Sequence, residues 1–275
     1  MEKIVFYGKG GIGKTTVATN ISADFARRGM RVLHVGCDPK QDSTLKLLKS
    51  DEIPSTVIGR LVERGQDLKR EDIINEGWSG IDCIESGGPE PGMGCGGRGI
   101  SRMIEEMEKL GLLSSGEYDT AVFDVLGDVV CGGFAAPMKL GFAEKVFIVV
   151  SEENMSIYAA NNIAKAVVNY APNGVRLGGL IANLRSSRGV VPEHLSRFAA
   201  ILNTGIIGVI PKSPLILRAD FLNKTVIEME PESDVAGTFR KLADFILELK
   251  PDTLPLPTPL SQERFLSMSK RLFRD

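Results

Sequence analysis

The chain has 275 residues, with 33 Lys and Arg against 35 Asp and Glu, 43% hydrophobic residues, 30 glycines and 4 cysteines. A chain of this length buries roughly 70–75% of the surface its unfolded form exposes, so it needs neither a disulfide framework nor a structural metal to fold. A net charge of −2 argues against nucleic-acid binding through a general basic field, and 25% charged residues beside abundant Val, Ile and Leu argue against disorder.

In chain order, short β-branched runs alternate with helical patterns. Strands are predicted at 3–7, 31–35, 81–84, 120–124, 145–150, 176–181 and 205–210. Several are apolar on consecutive residues, which suits strands buried on both faces of a parallel sheet. Helices are predicted at 14–28, 99–110, 156–170, 192–202 and 233–249; in the first, Val17, Ile21 and Phe25 fall on one stripe. Repeated β–α alternation predicts an α/β fold, a mostly parallel sheet with helices on both faces. Residues 251–259 carry four prolines, and 261–273 resemble a short amphipathic helix. The longest apolar runs, such as 146–150, fall well short of the ~18–20 residues of a spanning helix. No signal peptide is recognisable. A cytoplasmic chain with reduced thiols, and with neither membrane nor nucleic acid as partner, is expected.

Fourteen of the 30 glycines lie in three segments, 8–13, 87–99 and 127–133. Each follows a predicted strand, which places the chemistry at the carboxyl edge of the sheet. The first, GKGGIGKT at 8–15, fits the P-loop pattern G-x-x-x-x-G-K-[ST] between a strand and a helix. Its backbone N–H groups and the helix N-terminus suit phosphate oxygens. Lys14 is expected at the β/γ-phosphates and the Thr15 hydroxyl on Mg²⁺. The predicted nucleotide-binding set is Gly10, Gly11, Ile12, Gly13, Lys14, Thr15 and Thr16, with Lys40, Asp42 and Asp124. Asp124 ends an apolar run as a Walker B aspartate does. Asp38 and Asp42 suit water or Mg²⁺ ligands; helix N-capping is the plainer alternative. The expectation is a single P-loop NTPase domain over 1–250 and a Pro-rich tail with a short helix over 251–275.

The cysteines are Cys37, Cys83, Cys95 and Cys131, with no C-x-x-C pair and so no ordinary zinc motif. Cys37 and Cys83 belong to strands and read as packing residues. Cys95 and Cys131 sit in the other two glycine segments, where free N–H groups can donate to sulfur. Two readings remain open for them: small buried residues, or half of a four-thiolate site completed by a two-fold partner.

Here the chain resembles known proteins. Lys9, the extra lysine of GKGGIGKT, resembles the deviant Walker A ATPases, where such a lysine reaches the partner subunit's ATP. The runs ESGGPEPGMGCGGRG (85–99), DVLGDVVCGGF (124–134), GCDPKQDST (36–44), YAANNI (158–163) and RLGGLI (176–181) are similar to those of the nitrogenase iron protein family, over about residues 3–250. The resemblance implies a homodimer with MgATP and one [4Fe–4S] cluster held by Cys95 and Cys131 of both copies. It implies catalytic roles for Lys9, Asp38 and Asp128, the last activating water. It places Asn183 and Pro211 near the adenine, and Arg98 at the partner-docking face; a solvated surface charge is the plain alternative for Arg98. The function implied is an ATP-dependent reductase component passing electrons from ferredoxin or flavodoxin to a larger nitrogenase-like catalytic protein. Ser213 and Leu217 stand where the family carries polar residues, and 139–156 drift from its pattern, which points to a nitrogenase-like relative. The substrate finally reduced, whether dinitrogen, a chlorophyll or nickel tetrapyrrole precursor, or a methylthio-alkane, belongs to the partner. Two rivals are a membrane-positioning ATPase without a cluster, whose tail helix would be Phe265, Leu266, Lys270, Arg271, Leu272 and Phe273, and an iron–sulfur carrier scaffold, which usually needs the missing C-x-x-C pair.

Overall fold

The strands are β1 (Glu2–Tyr7), β2 (Val32–Cys37), β3 (Asn75–Glu76), β4 (Asp82–Glu85), β5 (Thr120–Val125), β6 (Lys145–Val150), β7 (Arg176–Asn183) and β8 (Ile206–Ile210). They form one sheet in the order β3-β4-β2-β5-β1-β6-β7-β8, in a computed structural model that describes residues 1–50, 52–65, 67–88, 96–127, 132–186 and 190–272. Every neighbouring pair is parallel except β3 with β4. The helices in chain order are α1 (Lys14–Arg27), α2 (Val57–Arg64), α3 (Arg70–Ile73), α4 (Gly96–Lys109), α5 (Ala136–Lys139), α6 (Asn154–Tyr170), α7 (Glu193–Ile201), α8 (Pro214–Phe221), α9 (Val226–Met229), α10 (Asp234–Glu248) and α11 (Gln262–Leu272).

The consecutive apolar residues of the central strands do what their pattern predicts. In β1, Ile4 and Phe6 enter one core while Val5 and Tyr7 enter the other. The first core holds Val17, Ile21 and Phe25 of α1 with Phe239, Leu242 and Ile246 of α10. The second holds Met103, Ile104 and Met107 of α4 with Ile157 and Ile163 of α6. A strand sandwiched in this way tolerates no polar alternation, because both of its faces are dry.

Seven strands and six long helices match the predicted ones to within about three residues at either end, the usual uncertainty of such boundaries. The elements without a predicted counterpart are short: β3, α2, α3, α5, α8 and α9. Among the described residues, no helix is long and apolar enough to cross a membrane. The Pro-rich segment runs back over the surface, where Asn161 of α6 holds Leu260 at both backbone atoms (2.9 and 2.7 Å). Phe265 of α11 then buries its ring edge-on against Tyr158, centroids 5.1 Å apart.

Candidate functional site

Strand β1 delivers the chain to the carboxyl edge of the sheet, where residues 8–13 turn into α1. Gly13 sits in the left-handed region at φ 96°, and a Cβ there would lie 2.3 Å from the Asn183 amide, so this position requires glycine. The tight turn is held from outside. Asn183 Nδ2 donates to the Ile12 carbonyl (2.7 Å), and the Arg185 guanidinium donates to the Gly11 carbonyl (2.6 Å). Within the loop the Ile12 amide donates to the Lys9 carbonyl (3.2 Å), so the turn is held from both sides. Lys14 is almost wholly buried, and its ammonium donates to the Lys9 carbonyl across the loop (3.2 Å).

Asp124, on β5 beside β1, anchors the centre. Its Oδ2 accepts from the hydroxyls of Thr15 (2.6 Å) and Ser43 (2.5 Å), while its Oδ1 is buried without a partner. A buried carboxylate oxygen with an empty lone-pair direction, beside a P-loop threonine hydroxyl, fits the hydration shell of Mg²⁺. Gly10, Gly11, Gly13, Lys14, Thr15, Asp38, Lys40, Asp42 and Asp124 all line one cleft of about 520 Å³, a size suited to a nucleotide. Thr16 faces Lys46, which is ion-paired with Asp220 across the cleft. Burial pushes the Asp38 carboxyl upward, the Lys40 amide opposes, and Asp42 and Asp124 add to the rise. The capping alternative for Asp38 and Asp42 fails, because no helix begins among the described residues between β2 and α2. Asp38 instead closes a turn, accepting from the Lys40 amide at 2.9 Å. Register places Asn183 opposite Ile210, so Asn183 and Pro211 share one edge.

Cys95, Cys131 and Asp128 lie outside the described residues. The residues two positions beyond each cysteine are described, and they meet. A Cβ on Gly133 would fall 2.4 Å from the Gly97 Cα and 2.5 Å from its carbonyl, so two glycine backbones cross in contact. Arg98 is exposed beside that crossing, in the first turn of α4. It lines a groove of about 910 Å³ with Arg102, Lys139, Ile58, Val62 and Leu140. Cys37 and Cys83 are fully buried, and burial pushes both thiols up, so neither is a ready thiolate. The donor set left to each chain is Cys95 and Cys131, which fits half of a four-thiolate cluster site.

Three participants had weak or no signal in the sequence. Ser43 and Glu85 lie inside quoted runs, but nothing marked their side chains. Arg185 is 174 residues from its partner Gly11, and only the fold brings them together.

The model of the 4Fe-4S iron sulfur cluster binding proteins, NifH/frxC family, matches residues 2–273. The chain belongs to that family. It is 42% identical to nitrogenase iron protein 2 of Methanothermococcus thermolithotrophicus over 99% of this chain and 96% of the relative. It is 45% identical to the nitrogenase iron protein of Methanococcus voltae over 96% and 94%. Among solved structures it is similar to the cell division ATPase MinD of Pyrococcus furiosus, with TM-score 0.70 and 21% identity over 91% of this chain and all of that one. It is likewise similar to a ParA family ATPase from Chlorobium tepidum, with TM-score 0.68 and 17% identity over 90% and 99%. These likenesses establish the P-loop NTPase type of fold. As a NifH/frxC family member, the chain is an ATP-hydrolysing oxidoreductase component whose cofactors are MgATP and a [4Fe–4S] cluster bridging two copies. Proteins of the family act as homodimers with a larger catalytic component.

Proposed function

We propose that this chain is the reductase component of a nitrogenase-like system, taking electrons from a ferredoxin or flavodoxin and delivering them to a larger catalytic protein. The supporting observation is the crossing of Gly97 and Gly133, which gathers the two cysteine-bearing segments at the sheet edge that also carries the phosphate loop. Cys95 and Cys131 of each copy would hold the cluster. When bound, the cluster supplies a one-electron carrier.

The chain's own residues carry out the nucleotide steps. Backbone amides of Gly10, Gly11, Ile12 and Gly13 cradle phosphates, and Lys14 and Thr16 complete that cradle. Thr15, Asp124 and Asp42 would hold Mg²⁺, Thr15 through its hydroxyl and the two carboxylates through water. Lys40 contacts phosphate from the opposite wall, and Lys9 reaches the partner's nucleotide. Asp38 and Asp128 orient and deprotonate the attacking water. Asn183 and Pro211 border the base. Arg98 and its groove receive the catalytic protein, whose own cofactor determines what is reduced. The domain comprises 1–250, and 251–272 form a strap upon it. The whole operates in the cytoplasm.

The test is Cys95→Ser and Cys131→Ser, purified without oxygen. Each variant is expected to lose the visible cluster absorbance while retaining MgADP binding. A full cluster in either variant would refute the assignment.

A further inference from the structure

Two glycines bracket the segment that carries Cys95: Gly88 before it and Gly96 after it. Pro39 packs against both. A Cβ on Gly88 would lie 2.7 Å from Pro39 Cβ, and one on Gly96 would lie 2.5 Å from Pro39 Cγ. The proline ring therefore occupies the space where a side chain at either glycine would stand. The ring is rigid, and its φ is fixed near about −65°.

The turn that carries the ring is braced from the cleft side. Asp38 lines the cleft, its Oδ1 accepts from the Lys40 amide, and its carbonyl accepts from the Gln41 amide at 3.2 Å. Gln41 is held at φ 61°, a conformation costly for a residue with a side chain. The turn is thus held together as one hydrogen-bonded unit. On the far side, Gly96 opens α4, and Gly97 is in backbone contact with Gly133. Close-packed contacts of this kind pass on displacement because they have no slack to absorb it.

We propose that Pro39 is a positioning residue that ties the cleft-facing turn Asp38–Lys40 to both ends of the Cys95 segment, so that the nucleotide state of the cleft shifts Gly88, Gly96 and the start of α4. Residues 124–131 join the cleft to Cys131 along the chain; Pro39 joins it to the other cysteine segment through space, within one subunit. The inference rests on the reading that the cleft takes MgATP.

The experiment measures iodoacetamide alkylation of Cys95 in the metal-free full-length protein, by peptide mass spectrometry, with and without MgADP or a non-hydrolysable MgATP analogue. Buried Cys37 and Cys83 serve as internal controls. Calorimetry measures nucleotide affinity separately. Nucleotide is expected to change the Cys95 rate about fivefold in the parent protein, a typical coupling between linked sites. Pro39→Ala is expected to bring that change below about twofold while affinity is retained. Gly96→Ala collides with the ring Cγ and is expected to lose the response too. Adding Pro39→Ala to it restores the thermal stability lost to the collision but not the response, because the remaining Cβ at position 39 stands 3.6 Å from the new methyl, an ordinary contact, while the coupling ring is gone. The stability lost in Gly88→Ala is not restored by Pro39→Ala, since its conflict is with Cβ itself at 2.7 Å. An undiminished response in Pro39→Ala, or equal rescue of stability at both glycines, overturns the inference. Nucleotide binding with no change at Cys95 in the parent overturns the inference alone; no nucleotide binding overturns the functional reading with it.

Discussion

Glu85 makes the stability of this protein depend on pH in a direction unusual for a carboxylate. It ends β4, wholly buried, and bonds to Thr44 of the segment that lines the cleft. Its Oε1 accepts from the Thr44 amide (2.7 Å) and hydroxyl (2.9 Å), and its Oε2 is buried with no partner. Burial pushes the carboxyl up to about 8; the Thr44 bonds oppose, and the Asp124 and Asp42 charges add to the rise. The folded protein therefore holds a proton that the unfolded chain releases near 4.5. The Glu85 contribution to stability is full below about pH 4.5, falls as pH climbs, and is lost above about 8. At about 1.4 kcal/mol per unit, the whole window is worth on the order of 5 kcal/mol. Glu85→Gln keeps the shape and the Thr44 acceptor while removing the titration. Urea unfolding of the metal-free parent and variant at several values across this window isolates the contribution, because every other carboxylate is common to both. The parent should lose roughly 1 kcal/mol per unit relative to Glu85→Gln. Parallel profiles would show that Glu85 is ionised in the fold and that the reasoning from its unpartnered oxygen is wrong.

Arg185→Gln removes the guanidinium bond to the Gly11 carbonyl; MgADP should bind about threefold to tenfold more weakly by calorimetry, with thermal stability nearly unchanged because the side chain is exposed. An unaltered affinity would mean that the loop holds its shape without this clamp. Phe265→Ala empties a fully buried site against Tyr158 and should cost about 3 kcal/mol in chemical denaturation. A change under about 0.5 kcal/mol, the usual scale for surface substitutions, would show that the tail helix does not dock.

The central sheet was legible because it is dry on both faces. Strands β1, β5 and β6 are dry on both faces along Ile4–Tyr7, Ala121–Phe123 and Val146–Val150, and those stretches carry consecutive apolar side chains, with polar residues only toward the strand ends. The phosphate loop was legible for a different reason: its function is carried by backbone amides, and only glycine lets a backbone pass so close to Asn183. What stayed hidden falls into two kinds. Helices of four to eight residues, such as α2 and α8, are too short to build a stripe of apolar residues, so caps and tertiary packing decide them. Long-range polar contacts, such as Arg185 to Gly11, Ser43 to Asp124 and Thr44 to Glu85, pair residues whose local sequence carries no mark of the partner. The docking of Pro39 against Gly88 and Gly96 is of the same kind; its signature is the absence of side chains, which a single sequence does not distinguish from a flexible loop.

The fold alone does not separate this chain from the positioning and partition ATPases it superposes on, because the parallel sheet and the phosphate loop serve both. Two features of the chain itself do. The first is the tail. An amphipathic helix that binds a membrane must present its apolar face outward, whereas α11 spends Phe265, its bulkiest described apolar side chain, on the core beside Tyr158. Only Leu266 remains exposed among its described large hydrophobic residues. The second is the crossing of Gly97 with Gly133. A backbone contact that excludes even a methyl group at Gly133 is costly in chain entropy, since glycine loses more freedom on folding than any other residue. An ATPase that only changes partners needs no such contact two residues beyond each of two cysteines. A protein that must keep two thiol-bearing segments in register does.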